Sequence, residues 1–186
     1  MNSTTILLLG LIVVVIAVGV LILLGRRRSA ALRQEFGSQY RRAVGEFGDK
    51  RKAEAELAAR EEHVHSLNIR ALTAEEEARF AQSWKKAKAR FVDEPSQAAA
   101  DADILVKKLM QTRGYPVGDF EQRAADISVD HPEVVSKYRA AREIAQRNNA
   151  SKATTEDIRQ AMVRYRSLFE ELLETAEPAA YAEKAG

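Results

Sequence analysis

The pattern of apolar and polar positions divides the chain at once. Ile6 to Leu24 is a run of nineteen uncharged, almost wholly apolar residues, and nothing of that length recurs. In helical form it rises about 28 Å, close to the roughly 30 Å hydrocarbon core of a bilayer. A helix apolar on every side has no wet face to offer in a small soluble domain. The pattern therefore predicts a transmembrane helix over 6–24. A cleavable leader would need a basic start, a shorter core and small residues behind it. Here Met1–Thr5 carries no charged side chain and Arg26-Arg27-Arg28 follows the run, so the segment reads as a retained signal-anchor.

Behind the anchor the period changes to that of amphipathic helices. Leu32, Phe36, Tyr40, Val44 and Phe47 make one stripe, with a break expected near Phe47-Gly48-Asp49. A thinner stripe, Ala53, Leu57, Val64 and Leu67, predicts a largely solvated strut over about 50–67. Thr73-x-x-Glu76 has the spacing of a capping box and opens a helix with the seam Phe80, Trp84, Ala87 and Phe91. Asp93-Glu94-Pro95 ends that helix and starts another, with Ala98, Ala102, Leu105 and Leu109 inward and Ile104, Val106 and Met110 widening the face. Gly114 and Pro116 stop it. A short helix from about Asp119 turns Phe120, Ala124 and Ile127 inward, and Ser128 or Asp130 is expected to cap the next one, which carries Val134, Tyr138, Ala141 and Ala145. The last helix starts at Thr154 or Thr155, runs to about Thr175 and has the widest apolar face, from Ile158 to Leu173.

No stretch alternates as a strand would. The expectation is an all-α protein: a single N-terminal transmembrane helix followed by a small domain, with about six helices after the anchor. Its parts are an extracytoplasmic N-terminus (1–5), the span (6–24), a basic juxtamembrane helical region (26–67), the helical domain (73–175) and a disordered tail (176–186).

Four segments carry a likeness: Glu35-Phe-Gly-x-x-Tyr40, Ala89-Arg-Phe-Val-Asp93, the run from Gly114-Tyr-Pro-Val through Asp119-Phe-Glu-Gln-Arg-Ala-Ala-Asp126 to Val129-Asp-His-Pro132, and Tyr165-Arg-x-Leu-Phe-Glu-Glu-Leu172. Over roughly residues 32–173 the chain resembles a family of uncharacterised bacterial single-pass membrane-anchored helical proteins. That resemblance implies a fold and a bacterial membrane address, and no activity, cofactor or catalytic residue.

Charge adds orientation. The overall balance is +2, but residues 26–52 hold nine Lys or Arg against three acids, a net +6, and the rest of the chain carries −4. Lys and Arg flanking a span stay in the cytoplasm, so the N-terminus is expected outside and the domain inside the bacterial inner membrane. Arg26, Arg27, Arg28 and Arg33 are the candidate contacts to anionic lipid heads. Nucleic acid ranks below lipid as a partner of this collar, because its cations are interleaved with aromatic residues and the remaining surface is acidic. The chain has no cysteine, which excludes disulfides, thiolate metal sites and cysteine catalysis.

Candidate chemistry is sparse. His63-x-His65 would point its rings about 200° apart on a helix and so cannot share an ion. Asp101-x-Asp103 and Asp119…Asp126 lack the glycine and terminal glutamate of a calcium loop. No phosphate-binding loop, nucleophile elbow or zincin motif occurs. No catalytic, metal or cofactor residue is therefore assigned and no cofactor is expected. The favoured reading is a membrane-tethered cytoplasmic module that binds a protein partner or self-associates as a scaffold, without catalysis. The alternative is a small membrane-associated hydrolase using Asp126, Asp130 and His131. The least generic stretch, 114–135, is where a partner surface is expected, at Tyr115, Glu121, Arg123 and His131, since helix stops and caps do not demand those residue types.

Overall fold

Among the described residues seven helices account for the regular structure: α1 (Ser3–Phe47), α2 (Lys50–Ser66), α3 (Ala74–Arg90), α4 (Pro95–Arg113), α5 (Phe120–Asp130), α6 (Pro132–Asn149) and α7 (Thr155–Glu174). The computed structural model describes the backbone of residues 3–174 and the side chains of residues 11–174. Among these the protein is all-α, with no strand. The expected tail at 176–186 and terminus at 1–5 lie outside the residues whose side chains are described.

Two compact units divide between Leu57 and Ala58, inside α2. In the first, α1 is one helix with a kink at Gly37, whose φ of 46° and ψ of −114° leave the helical region. A residue with a Cβ is strained at that φ, so glycine is what lets the helix change direction there. The predicted stripe holds at Leu32, Phe36 and Tyr40, which are buried, and fades at Phe47, which is 37% exposed. The expected break falls at Gly48, and the Tyr40 hydroxyl donates to Glu54 Oε1 at 2.7 Å, tying α1 to the start of α2. Upstream, the large apolar side chains from Leu11 to Leu24 are 47% to 68% exposed. Among the described residues no helix is long and apolar enough to cross a membrane; the side chains of the apolar run are described from Leu11 onward.

The second unit is organised around α7, which packs along α4 and α6. Ile158, Ala161, Tyr165, Leu168, Phe169 and Leu172 are all buried. Trp84 of α3 stacks on Phe169 with centroids 4.8 Å apart, and Tyr138 of α6 meets Tyr165 edge-on at 6.3 Å. These contacts explain why the α3 seam has its tightest point at Trp84, whereas Phe80, Phe91 and Phe120, expected in the core, are only half-buried. Ile104, expected to widen the inner face of α4, is 48% exposed. It sits one residue off the Leu105 row that faces inward, and the α4 face is correspondingly narrower than its apolar composition suggests.

Helix ends follow local chemistry. Thr73 accepts from the Glu76 N–H at 3.2 Å while Glu76 accepts from the Thr73 N–H at 2.9 Å, the reciprocal box expected there. Arg70 adds a bidentate grip, and with the Thr73 backbone it holds the Glu76 carboxyl at about 2. Thr154 and Asp157 repeat the device before α7. The cap of α6 differs from expectation. Its N-cap is His131, which makes no side-chain capping bond, while Asp130 is engaged by Tyr115 and the Ser128 hydroxyl donates back to the Ala125 carbonyl.

At the end of α4, Gly114 has a φ of 100°, and a Cβ placed there would lie 2.4 Å from the Asn68 carbonyl oxygen. Gly114→Ala is therefore expected to destabilise the domain by more than about 1 kcal/mol in urea unfolding, since both conformation and space forbid the methyl. Phe169→Ala, which empties the ring stacked on Trp84, is expected to cost about 3–5 kcal/mol in the same measurement.

Candidate functional site

The stretch from Arg113 to Val135 combines a left-handed helix stop, the short helix α5 and the start of α6, and it brings an unusual set of polar side chains inside. Arg113, Tyr115, Arg123, Asp126, Ser128 and His131 are all buried. Burying a charge costs several kcal/mol unless partners replace water, so each of them must be accounted for.

Arg113 has no exposure. Its Nε donates to the Arg70 carbonyl at 3.2 Å and Nη1 to the Leu172 carbonyl at 3.0 Å. Burial lowers its pKa, and the neighbouring Tyr115 and Asp130 oppose that shift. Arg123 donates to the Val117 and Gly118 carbonyls through Nη1 and to the Tyr138 hydroxyl through Nε at 3.3 Å, so it staples the 115–119 turn onto α6. Both guanidiniums satisfy backbone carbonyls rather than face a cleft.

The remaining members form separate contacts. Tyr115 donates to Asp130 Oδ2 at 2.5 Å. His131 Nδ1 lies 3.2 Å from Glu171 Oε1, while its Nε2 is buried without a hydrogen-bond partner. Burial pulls the His131 pKa below its ordinary value, against the raising influence of Glu171 and Asp130 and with a lowering one from Arg113. Asp126 accepts from Gln122 at 2.7 Å and lies 3.7 Å from His63 Nε2. Burial raises its pKa, opposed by Gln122, His63 and Arg60.

These positions correct the sequence expectation for the stretch. Tyr115, Arg123 and His131 do not line an exposed surface; they are 2%, 5% and 3% exposed, each held by a partner the helical pattern could not reveal. Of the four, only Glu121 is exposed, and it pairs with Arg139. Nor does any hydrogen bond among the described residues link two of Asp126, Asp130 and His131. Each faces a different neighbour: Asp126 meets Gln122 and His63, Asp130 meets Tyr115, and His131 meets Glu171.

The other expected sites are readily placed. Arg26, Arg27, Arg28 and Arg33 are exposed, Arg33 lying over the Tyr40 ring at 5.3 Å. His63 reaches Asp126, a contact across 63 residues of sequence that the His63-x-His65 spacing gave no sign of. Among the described residues no group of three His, Cys, Asp or Glu side chains is arranged to hold a metal ion. Asp101 is occupied by Arg90 at 2.6 Å and Asp103 by Lys107 at 2.5 Å.

What sequence reasoning passed over is a groove of about 600 Å³ along α3 and α4, with Arg79, Phe80, Lys86, Ile104 and Lys108 in its walls. The signal that could have found it is the spacing of Arg79, Ser83, Lys86 and Arg90, which share one face of α3 beside the aromatic seam. Comparison with known protein families, with characterised proteins and with solved structures finds no match.

The neutral burial of His131 sets a pH dependence. Its unfolded form takes up a proton near 6.5, whereas the folded form resists until lower pH. This group's contribution is therefore complete above about pH 6.5 and declines as pH falls from there toward the folded value. The stability of the wild type relative to His131→Gln is expected to fall between about pH 7 and pH 5, measured by urea unfolding at several pH values. A difference that stays flat across that range would show that the imidazole is not held neutral.

Proposed function

We propose that the protein is a single-pass membrane-tethered module: Ile6–Leu24 anchors it in the inner membrane of a bacterium with the N-terminus outside, and the helical domain engages a protein partner in the cytoplasm without catalysis. The observation that carries this reading is the apolar run itself. Nineteen uncharged residues are closed by three consecutive arginines, and the large apolar side chains from Leu11 to Leu24 are left exposed. An exposed apolar surface of that extent is unfavourable in water and favourable in lipid. The collar that follows supplies the cations that orient a span and meet anionic head groups.

The non-catalytic half of the reading rests on the buried polar set. Arg113, Arg123 and His131 are bonded to carbonyls and neighbouring side chains inside the domain, so they act as structural ties. That leaves the domain's exposed faces, rather than its polar interior, to do the recognising.

The anchor is tested by extraction and topology. The full chain is expected to stay with membranes through alkaline carbonate washing, and Val15→Arg with Val18→Arg to release it, since each arginine near a span's centre costs about 2.5–3.5 kcal/mol of insertion. A reporter fused after Ala185 should behave as cytoplasmic, and protease added to spheroplasts should leave the domain whole. Wild-type protein that washes off with carbonate would overturn the anchor, and digestion of the domain from outside would overturn the orientation.

A further inference from the structure

The groove along α3 and α4 has a composition suited to one kind of partner. The two helices are joined by only four residues, 91–94, as in a helical hairpin. On α3, Arg79, Ser83, Lys86 and Arg90 recur at steps of four, three and four, and on α4 Asp101, Ile104, Leu105 and Lys108 share the facing side. The floor is apolar: Phe80 is half-buried, Ile104 is 48% exposed, and Ala87 is small enough to let a backbone come close.

The electrostatics of the walls are one-sided. Asp101, the acid in the groove, is already bonded to Arg90 at 2.6 Å and accepts from Gln97 at 3.2 Å. Arg79, Lys86 and Lys108 have no carboxylate partner among the described residues. The groove thus offers three cations without a carboxylate partner, two from α3 and one from α4, around an exposed isoleucine and a half-buried phenylalanine.

We infer that this groove docks an acidic amphipathic helix of a partner protein, whose apolar face lies on Phe80 and Ile104 and whose carboxylates meet Arg79, Lys86 and Lys108. This deepens the interaction-module reading and rests on it. Three features favour a helix over other anions. The lining runs from Arg79 to Arg90 on α3, a rise of about 16 Å, which matches three turns of a partner helix. A groove beside two packed helices is where the ridges of a third helix fit. Lipid head groups would satisfy the charges and offer nothing apolar to Ile104 and Phe80. A nucleic-acid backbone would gain from the cations and gain nothing from an isoleucine.

The test uses the full chain in nanodiscs of neutral lipid and a fluorescent helical peptide of about twelve residues, three turns, with leucines at i, i+3, i+4 and i+7 and glutamates on both flanks. The same peptide with lysine in place of glutamate, phosphatidylglycerol vesicles and single-stranded RNA are the comparison probes. The expected result is saturable binding of the acidic peptide that weakens with salt. Lys86→Glu with Lys108→Glu should weaken it at least tenfold, and so should Ile104→Asp, while the lysine peptide should not bind. All three positions lie at the surface of the groove, and an unchanged melting temperature would show that the variants fold. Absence of acidic-peptide binding, binding indifferent to these substitutions, or vesicles or RNA displacing the peptide through Lys86 and Lys108 would each overturn the inference. Failure here is separable from failure of the anchor, because carbonate extraction reads residues 6–24 alone and is indifferent to the groove.

Discussion

Arg113 donates to the carbonyls of Arg70 and Leu172 from a position closed to water, while its own carbonyl accepts from the Arg70 N–H at 2.9 Å. One side chain thereby joins the connection before α3, the end of α4 and the end of α7. The next residue, Gly114, passes so close to the Asn68 carbonyl that no side chain fits. Bonds to a charged donor are stronger than neutral ones, and breaking them would leave buried acceptors without partners. The helices of the second unit can pack as amphipathic elements in many registers. This junction selects the one in which α4 stops against the α2–α3 connection and α7 finishes on the same guanidinium.

The same logic explains why the 114–135 stretch looks unlike its neighbours. A short helix such as α5, with eleven residues, cannot bury enough apolar surface to fix its own position. Arg123 compensates by bonding the turn that precedes it and Tyr138 of α6, and Tyr115 does so by bonding Asp130 at the far end of α5. Residue types that helix faces and caps do not require are here required by the tertiary fit. The residue types at Tyr115, Arg123 and His131 reflect the cost of holding polar groups inside.

Local rules were legible in the sequence because their partners lie a few residues away. The Thr73 box, the left-handed stop at Gly114, the start of α5 near Asp119 and the wide face of α7 all emerge from spacing alone. The buried polar ties were not legible, since Arg113 reaches acceptors 43 and 59 residues distant in the chain. No helical period encodes a bond of that separation. An arginine that serves a buried carbonyl is indistinguishable, in one sequence, from an arginine that faces water. The same ambiguity holds at α3, where Arg79 and Lys86 are spaced as any solvated face would be and yet line a groove with Ile104 and Phe80.

The two halves of the proposed function place different demands on affinity. Three exposed cations and a pair of half-covered apolar side chains make a modest interface, because exposed ion pairs each contribute at most about 1 kcal/mol and are screened by salt. A freely diffusing domain would hold a partner poorly on such terms. A tether would change the arithmetic for any partner held at the same membrane surface, since confinement raises effective concentration without adding a contact. On the proposed reading the anchor and the weak, charge-steered groove would be complementary: the first would supply encounter, and the second discrimination between acidic and basic partners. A groove tight enough to work in solution would have needed a larger apolar patch, and that patch would be a liability on a surface kept near other membrane proteins.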